Sequence, residues 1–322
     1  MNDGDSSCWL GKIDDDIRKL WQRRKSQWLD CRLSPFEITL PAISSTTEFE
    51  AFWPELEDVF GMTDVERCGD RLFVFRGDDE SAPLGNPFLK SGYFAEPVEV
   101  LREMLATCRE FIDEFWKEED RVCDADLYWL MRHAGLPSPL LDCSRSFYVA
   151  LWFAIHRHAG KGMYVLRDDA NAAVTVVRLS KEGYECENTI EPIPPDPTSR
   201  PIVYKRVKVD GNGEFPYERP LAQDSIVIRQ RFLPDGIGGR YRLLPLNEDP
   251  YCAGRILKIP IVGSYRKINA QILKHLRSER YWRKGWSGRV ALRLTKGKSD
   301  FYGKLKSVGD GVLKKHLANV SI

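Results

Sequence analysis

Between Pro97 and Trp116 the apolar residues Leu101, Met104, Leu105, Cys108, Phe111, Ile112, Phe115 and Trp116 recur every three or four positions. That stripe can only be one face of a long helix, and a helix with such a face must bury it against other elements. Pro97 stands at a permitted first-turn position. A second helix is expected from about Asp124 to Gly135, with Pro137 beyond it. Leu140 and Leu141 suggest a very short strand. Ser144 or Ser146 can cap a further helix running to about His158, where imidazolium groups on His156 and His158 would suit the helix dipole. An earlier helix is expected over Ile13–Trp28.

After Gly160 the period changes from helix to strand. Met163–Leu166 and Ala173–Leu179 read as paired strands around an Asp168-Asp169 turn. Ser225–Ile228 and Ile256–Val262 are further strands. Arg71–Arg76 is a short strand closed by Gly77. Five prolines between Pro192 and Pro201 force an irregular excursion, and Asp210-Gly211-Asn212-Gly213 is a hairpin signal. Ile268–Leu276 and Val312–Leu317 are expected to be helical. Helices early and strands later, without steady alternation, describe an α+β fold. The expected division is an N-terminal helical extension (1–69) followed by one domain (70–322). That domain holds the Pro-rich excursion (191–220) and a basic C-terminal part (255–322).

Composition narrows the function. The chain has 322 residues, 43% hydrophobic and 30% charged, which suits a globular protein. Its net charge of +1 conceals a division: residues 255–322 carry 17 Lys/Arg against three acids, while residues 1–254 carry 31 against 44. A basic end on an acidic body implies a polyanionic partner or docking on the chain's own acidic surface. The eight cysteines are scattered, none closer than fifteen residues to the next, so no zinc knuckle is expected. They read as reduced thiols in a cytoplasm. The longest strongly apolar run, Phe147–Ile155, is too short to span a bilayer. Gly297-Lys298-Ser299 fails as a phosphate loop because Leu292 stands where its first glycine belongs.

Two stretches point to chemistry. In Phe73-Val74-Phe75-Arg76-Gly77-Asp78 an arginine ends an apolar strand, where it needs an anion or an internal carboxylate. Gly77 permits a close backbone approach. The stretch from Arg132 to Ser144 sets His133, Asp142 and two serines on a helix–turn–strand–helix path. Asp142 and Ser144 there could shape an anion site or merely cap the next helix.

On these residues the chain resembles the FRG family, named for the motif that Phe75-Arg76-Gly77 matches. His133, Gly135, Leu136, Pro137, Leu140, Leu141, Asp142, Ser144, Ala150 and Phe153 fit the family's second pattern. Arg231 and Phe232, following Gln230, fit a Gln-rich strand leading to phenylalanine, and Asp310-Gly311 before an apolar helix fits the last segment. The resemblance spans about residues 70 to 317. Departures are Arg132 for glutamine, Ser138 for threonine, Pro139 for arginine and Cys143 for tryptophan. Residues from about Arg280 to Tyr302 look like an insertion.

The order of these residues is also similar to the Arg–Ser–Glu layout of ADP-ribosyltransferases, which implies a split β-sheet core with helices packed around it and NAD as substrate, without metal. By that resemblance Arg76, Ser144 and Gln230 take the catalytic roles, and Phe75, Arg76, Gly77, His133 and Asp142 line the NAD site. Gln230 lacks the charge of glutamate, so Asp142 or Asp224 could supply it. The implied role is a toxin-like effector in phage defence, with a possible inhibitor (antitoxin) protein. Tyr281, Trp282, Arg283, Lys284, Trp286 and Arg289, basic and aromatic together, favour a nucleic-acid acceptor such as RNA over a protein. The alternatives are a non-catalytic nucleotide- or nucleic-acid-binding module and, third, a nuclease.

Overall fold

The computed structural model describes residues 32–33, 38–40, 42–51, 71–79, 97–115, 124–159, 164–169, 171–180, 202–204, 225–230, 232–234, 241–246, 249, 256–276 and 299–318. Its fold is α+β, with mainly antiparallel strand pairing. The chain divides into two compact units, each assembled from three stretches of sequence: Met1–Pro83, Cys143–Gly183 and Leu246–Leu292 form the first, and Leu84–Asp142, Tyr184–Pro245 and Arg293–Ile322 the second. The strand and helix ranges, in chain order, are β1 Arg32–Leu33, β2 Ile38–Thr39, β3 Arg71–Asp79, α1 Pro97–Phe115, α2 Asp124–His133, β4 Leu140–Ser144, α3 Phe147–Ile155, β5 His156–His158, β6 Tyr164–Leu166, β7 Ala172–Ser180, β8 Ile202–Tyr204, β9 Ser225–Arg229, β10 Phe232–Pro234, β11 Tyr241–Leu243, β12 Ile256–Ile261, α4 Tyr265–Leu276 and α5 Ser299–Ala318.

In the first unit the strands lie in the order β1-β2-β12-β7-β3, with Ser144 at the end of β4 opposite Phe75. All neighbours are antiparallel except β12 and β2. β7 and β12 are runs of β-branched and aliphatic residues, and all six residues of β12 are buried. Helix α3 is apolar on every side, and seven of its nine residues are buried, as that composition requires. Its N-cap is Ser146, whose hydroxyl accepts from the Val149 N–H (3.4 Å). Helix α4 buries only the stripe Tyr265, Ile268, Ile272 and Leu276. Tyr265 also clasps two strand ends, donating to the Ile261 carbonyl and accepting from the Ala172 N–H, both at 3.2 Å.

The second unit holds the helices α1, α2 and α5, and the antiparallel strands β8 and β9. Its core includes Leu101, Met104, Cys108 and Ile112 of the stripe, joined by Leu127, Leu130, Met131, Phe301 and Leu305. Burial pushes the Cys108 thiol up to about 12, so it is an inert, protonated packing group. Helix α2 ends in a Schellman cap: Leu136 N–H donates to Met131 O, Gly135 N–H donates to Arg132 O, and Gly135 takes φ 80°. Gly309 lies so close to Leu136 that a Cβ there would come within 2.5 Å of its side chain. Glu103 on α1 receives Lys315 (2.7 Å) and His316 (2.8 Å) from α5, and the hydrogen bonds from Lys315 and then His316 hold its carboxyl below the usual range. Part of the basic C-terminal charge is therefore spent on the chain's own acidic helix.

Several expectations need correction. Helix α3 stops at Ile155, and His156–His158 form strand β5 instead of a last helical turn. β6 pairs with β5, while β7 pairs with β3 and β12. The last helix starts at Ser299, so Asp310-Gly311 lie inside it. The helix expected at Ile13–Trp28, the prolines from Pro192 to Pro201 and the Asp210–Gly213 turn lie outside the described residues, while Ile202–Tyr204, inside the expected excursion, form β8 and pair with β9. No helix among the described residues is long and apolar enough to cross a membrane.

Candidate functional site

Strand β3 has two faces with different duties. Phe75 and Gly77 alternate onto the face covered by α3. Phe75 meets Phe147 edge to face, with ring centroids 5.9 Å apart. A Cβ on Gly77 would strike the Ala150 carbonyl oxygen and lie 2.5 Å from the Ala154 nitrogen. The close approach that this glycine permits is thus to the helix backbone, and the small residues Ala150 and Ala154 make the other half of the contact.

Arg76 alternates onto the opposite face. Its side chain is only 12% exposed and its Nη2 lies 2.8 Å from the Asp78 carboxylate, two residues along the same face. An internal carboxylate therefore accompanies the arginine. Asp78 is 34% exposed, so water competes for this pair. Asp79, on the helical face, receives Arg167 at 3.4 Å.

Ser144 stands directly opposite Phe75. Residues directly opposite in an antiparallel pair share a face, so Ser144 belongs to the α3 face and not to that of Arg76. Its hydroxyl accepts from the Ser146 N–H at 3.0 Å, shaping the turn into α3. Arg76 and Ser144 are thus on neighbouring strands but on opposite faces.

The remaining candidates belong to the second unit. His133 is buried in the last turn of α2, its ring 6.1 Å from that of Trp129. Asp142 pairs with Arg132 Nε at 2.8 Å. Gln230 is fully buried just after β9; its N–H donates to the Pro139 carbonyl (2.9 Å) and its Nε2 to the Leu244 carbonyl (3.1 Å). Ser138 donates to the Tyr128 carbonyl (3.0 Å) and accepts from the Leu140 N–H (3.2 Å), pinning the loop between α2 and β4.

Residues 71–162 match the family model of the FRG domain. The chain carries an FRG domain. No curated protein and no solved structure matched the chain. The matched stretch runs from β3 through β5. Within it, the Phe and Gly of the FRG motif are packing residues and its Arg is the polar one. The Gly135-Leu136 segment of the FRG domain is a helix cap, and Arg132, which replaces glutamine, supplies the counter-charge of Asp142.

His156 also changes role. Its ring stacks on Trp152 (4.1 Å between centroids) and its Nδ1 lies 2.7 Å from the Trp152 carbonyl, where it donates as the neutral tautomer. Burial holds its pKa below the ordinary histidine value, and the Trp152 hydrogen bond opposes this less strongly. An imidazolium at a helix end is therefore replaced by a neutral core histidine. Among the described residues no three His, Cys, Asp or Glu side chains are grouped to hold a metal ion. Tyr281, Trp282, Arg283, Lys284, Trp286 and Arg289 lie outside the described residues, as do Asp224 and Arg231.

Proposed function

We propose that the protein binds NAD through its diphosphate at Arg76 and acts as an ADP-ribosyltransferase. The observation that carries the reading is the division of the FRG motif. Phe75 and Gly77 are consumed by packing on α3, whereas Arg76 is set on the other face beside the partly exposed Asp78. A planar guanidinium in that setting suits a phosphate anion. The diphosphate is the part of NAD that the residues present fit.

In the transfer itself the bond from the ribose C1′ to the nicotinamide nitrogen breaks, and nicotinamide leaves with the bonding pair. An acceptor nucleophile then bonds to C1′ and gives up its proton. Negative charge beside C1′ would stabilise the oxocarbenium-like transition state. Gln230 carries no charge, so that role falls to a carboxylate in this reading. An ADP-ribosyltransferase-like split sheet is the corresponding fold, supported by Arg76 and Ser144 standing on adjacent strands and Gln230 following a later one. A nucleic-acid acceptor, with protein second, and a toxin-like defence role under an inhibitor protein complete the proposal.

A specific observation favours a second reading, a nucleotide-binding module without catalysis: the Ser144 hydroxyl and the Gln230 carboxamide are both engaged in local structural hydrogen bonds. Incubation with labelled NAD and cell extract, followed by separate protease and ribonuclease digestion, tests both. Nicotinamide release with label on a macromolecule supports the transferase. Binding of ADP-ribose without nicotinamide release supports the module, and the absence of both results overturns both readings.

A further inference from the structure

Helix α4 carries Arg266, Lys267, Lys274 and His275 and no acidic residue. At 3.6 residues per turn, Arg266, Lys267, Ala270 and Lys274 fall within about 100° of its circumference. They lie opposite the buried stripe of Tyr265, Ile268, Ile272 and Leu276, and all four are exposed. Among the described residues Arg266, Lys267 and Lys274 have no carboxylate within ion-pair distance. The segment tied to α4 by the bond from the Thr46 N–H to Gln271 holds Glu48 and Glu50, but their carboxylates accept from the Ser44 hydroxyl (2.7 Å) and the Tyr148 hydroxyl (2.6 Å). Helix α5 differs: its Lys306 meets Asp310, and its Lys315 and His316 meet Glu103. Arg266 and Lys267 also stand in the first turn of α4, where the helix dipole disfavours positive charge.

We propose that this outer face of α4 binds the phosphate backbone of a double-stranded nucleic acid. The inference rests on the nucleic-acid acceptor of the reading above and gives it a surface. Cations set against the helix dipole and left without an ion pair weaken α4, and a polyanion removes that penalty. Arg266 and Lys274 are eight residues apart, about 12 Å along the axis. A duplex carries one charge per about 1.7 Å of its length, so a row of that extent spans several phosphates. Ala270 lies between the two cations and its short side chain leaves the approach open. A single strand is held by stacking its bases on aromatic rings. The rings of α4 are not free for that: Tyr265 is buried and His275 stacks on Tyr148 with centroids 3.4 Å apart. A bilayer surface needs apolar side chains to insert. Those of α4 are buried, and Val262, 39% exposed just before the helix, is a single short one. Contacts to phosphates alone carry no sequence information, so the binding is independent of sequence.

The test is a fluorescence-anisotropy titration of the full chain, without NAD, against labelled RNA and DNA duplexes and their separate strands from low to high salt. Sedimentation with phosphatidylserine vesicles is run beside it. Replacing Arg266→Gln, Lys267→Gln and Lys274→Gln together should weaken duplex binding about tenfold or more and flatten the log–log salt slope by about 0.9 per charge removed. The melting temperature should hold or rise slightly, because two cations leave the first turn. Ala270→Glu, which sets an opposing charge within the row, should weaken duplex binding by a smaller factor. The tighter of the two duplexes identifies the source of the phosphates. Unchanged affinity and slope in both variants overturns the proposal and leaves a solvated face. Single strands bound as tightly as duplexes, or vesicles bound where duplexes are not, overturn it in favour of those partners. A lowered melting temperature with wild-type affinity assigns the cations to the scaffold instead. Should the triple variant fail to fold, Ala270→Glu decides alone. Label passed from NAD to nucleic acid by a wild type that binds no duplex removes the surface and keeps the transferase reading.

Discussion

The two faces of strand β3 solve opposite problems with alternate residues of one short motif. On the α3 face, phenylalanine fills space and glycine removes it, so that strand and helix backbones meet with no side chain between them. On the other face an arginine, a threonine and a lysine sit in one row where aliphatic residues would pack more cheaply. The first face explains why the chain folds. The second sets a guanidinium, a hydroxyl and an ammonium in one cross-strand row beside the apolar row of Val74, Val177 and Ile256.

Substitutions that separate folding from binding sharpen this contrast. The largest effect belongs to Gly77→Ala, whose Cβ would strike backbone atoms that cannot move aside as a side chain could. We expect a loss of about 3 kcal/mol or more, or outright failure to fold. Thermal melting checks it, and a near-normal melt would show that the two backbones are not so close.

Arg76→Ala should do the reverse. Pyrophosphate and ADP-ribose affinity should fall about 100-fold while the melting temperature changes little. Arg76→Lys should recover only part of it, because the planar fork is lost. Unfolding of Arg76→Ala would instead make the arginine part of the scaffold.

The serines at the start of α3 test the face assignment more finely. Ser146→Ala removes the N-cap and should cost about 1 kcal/mol. Ser144→Ala should destabilise by a comparable or smaller amount and leave anion binding intact, since its hydroxyl turns toward α3. Lost binding in a stable Ser144→Ala protein would place this residue in the site after all.

The smallest effect is that of pH on His156. Its folded pKa lies below the ordinary 6.5, so the unfolded chain binds the proton more readily than the folded one. The stability it contributes is full above about pH 6.5 and is lost as pH falls from there through the lower folded value. His156→Phe keeps the stacking on Trp152 but removes the proton site. Its melting temperature should fall less steeply between pH 7 and 5 than that of the wild type, and parallel curves would show that the ring is not buried as described.

Much of the fold follows from local patterns. The stripe in α1, the Gly135 stop of α2 and the strands β3, β7, β9 and β12 are all set by spacing and breakers within a few residues. The end of α3 was not legible, because a segment apolar on every side has no period whose loss would mark its last turn. Nor was the pairing of β6 with β5, which competes with an equally short connection to β7.

For the site, the sequence by itself determined that a cation must lie in an apolar strand with a glycine after it, but it closed that strand at Gly77, whereas β3 continues paired with β7 to Asp79. Only the tertiary structure decided what stands beside that cation. Ser144, legible as a candidate, goes to the other face because pleat parity turns each successive side chain over, and parity is known only once register is known. Lys258 carried the same signal as Arg76, one charge in an apolar strand, but it was counted with the basic C-terminal part of the chain. It joins Arg76 through Thr175, by pairings that link residues about a hundred or fewer positions apart at each step. No local pattern encodes such a row, because strand register is fixed by the packing of whole sheet faces and not by the residues in the row.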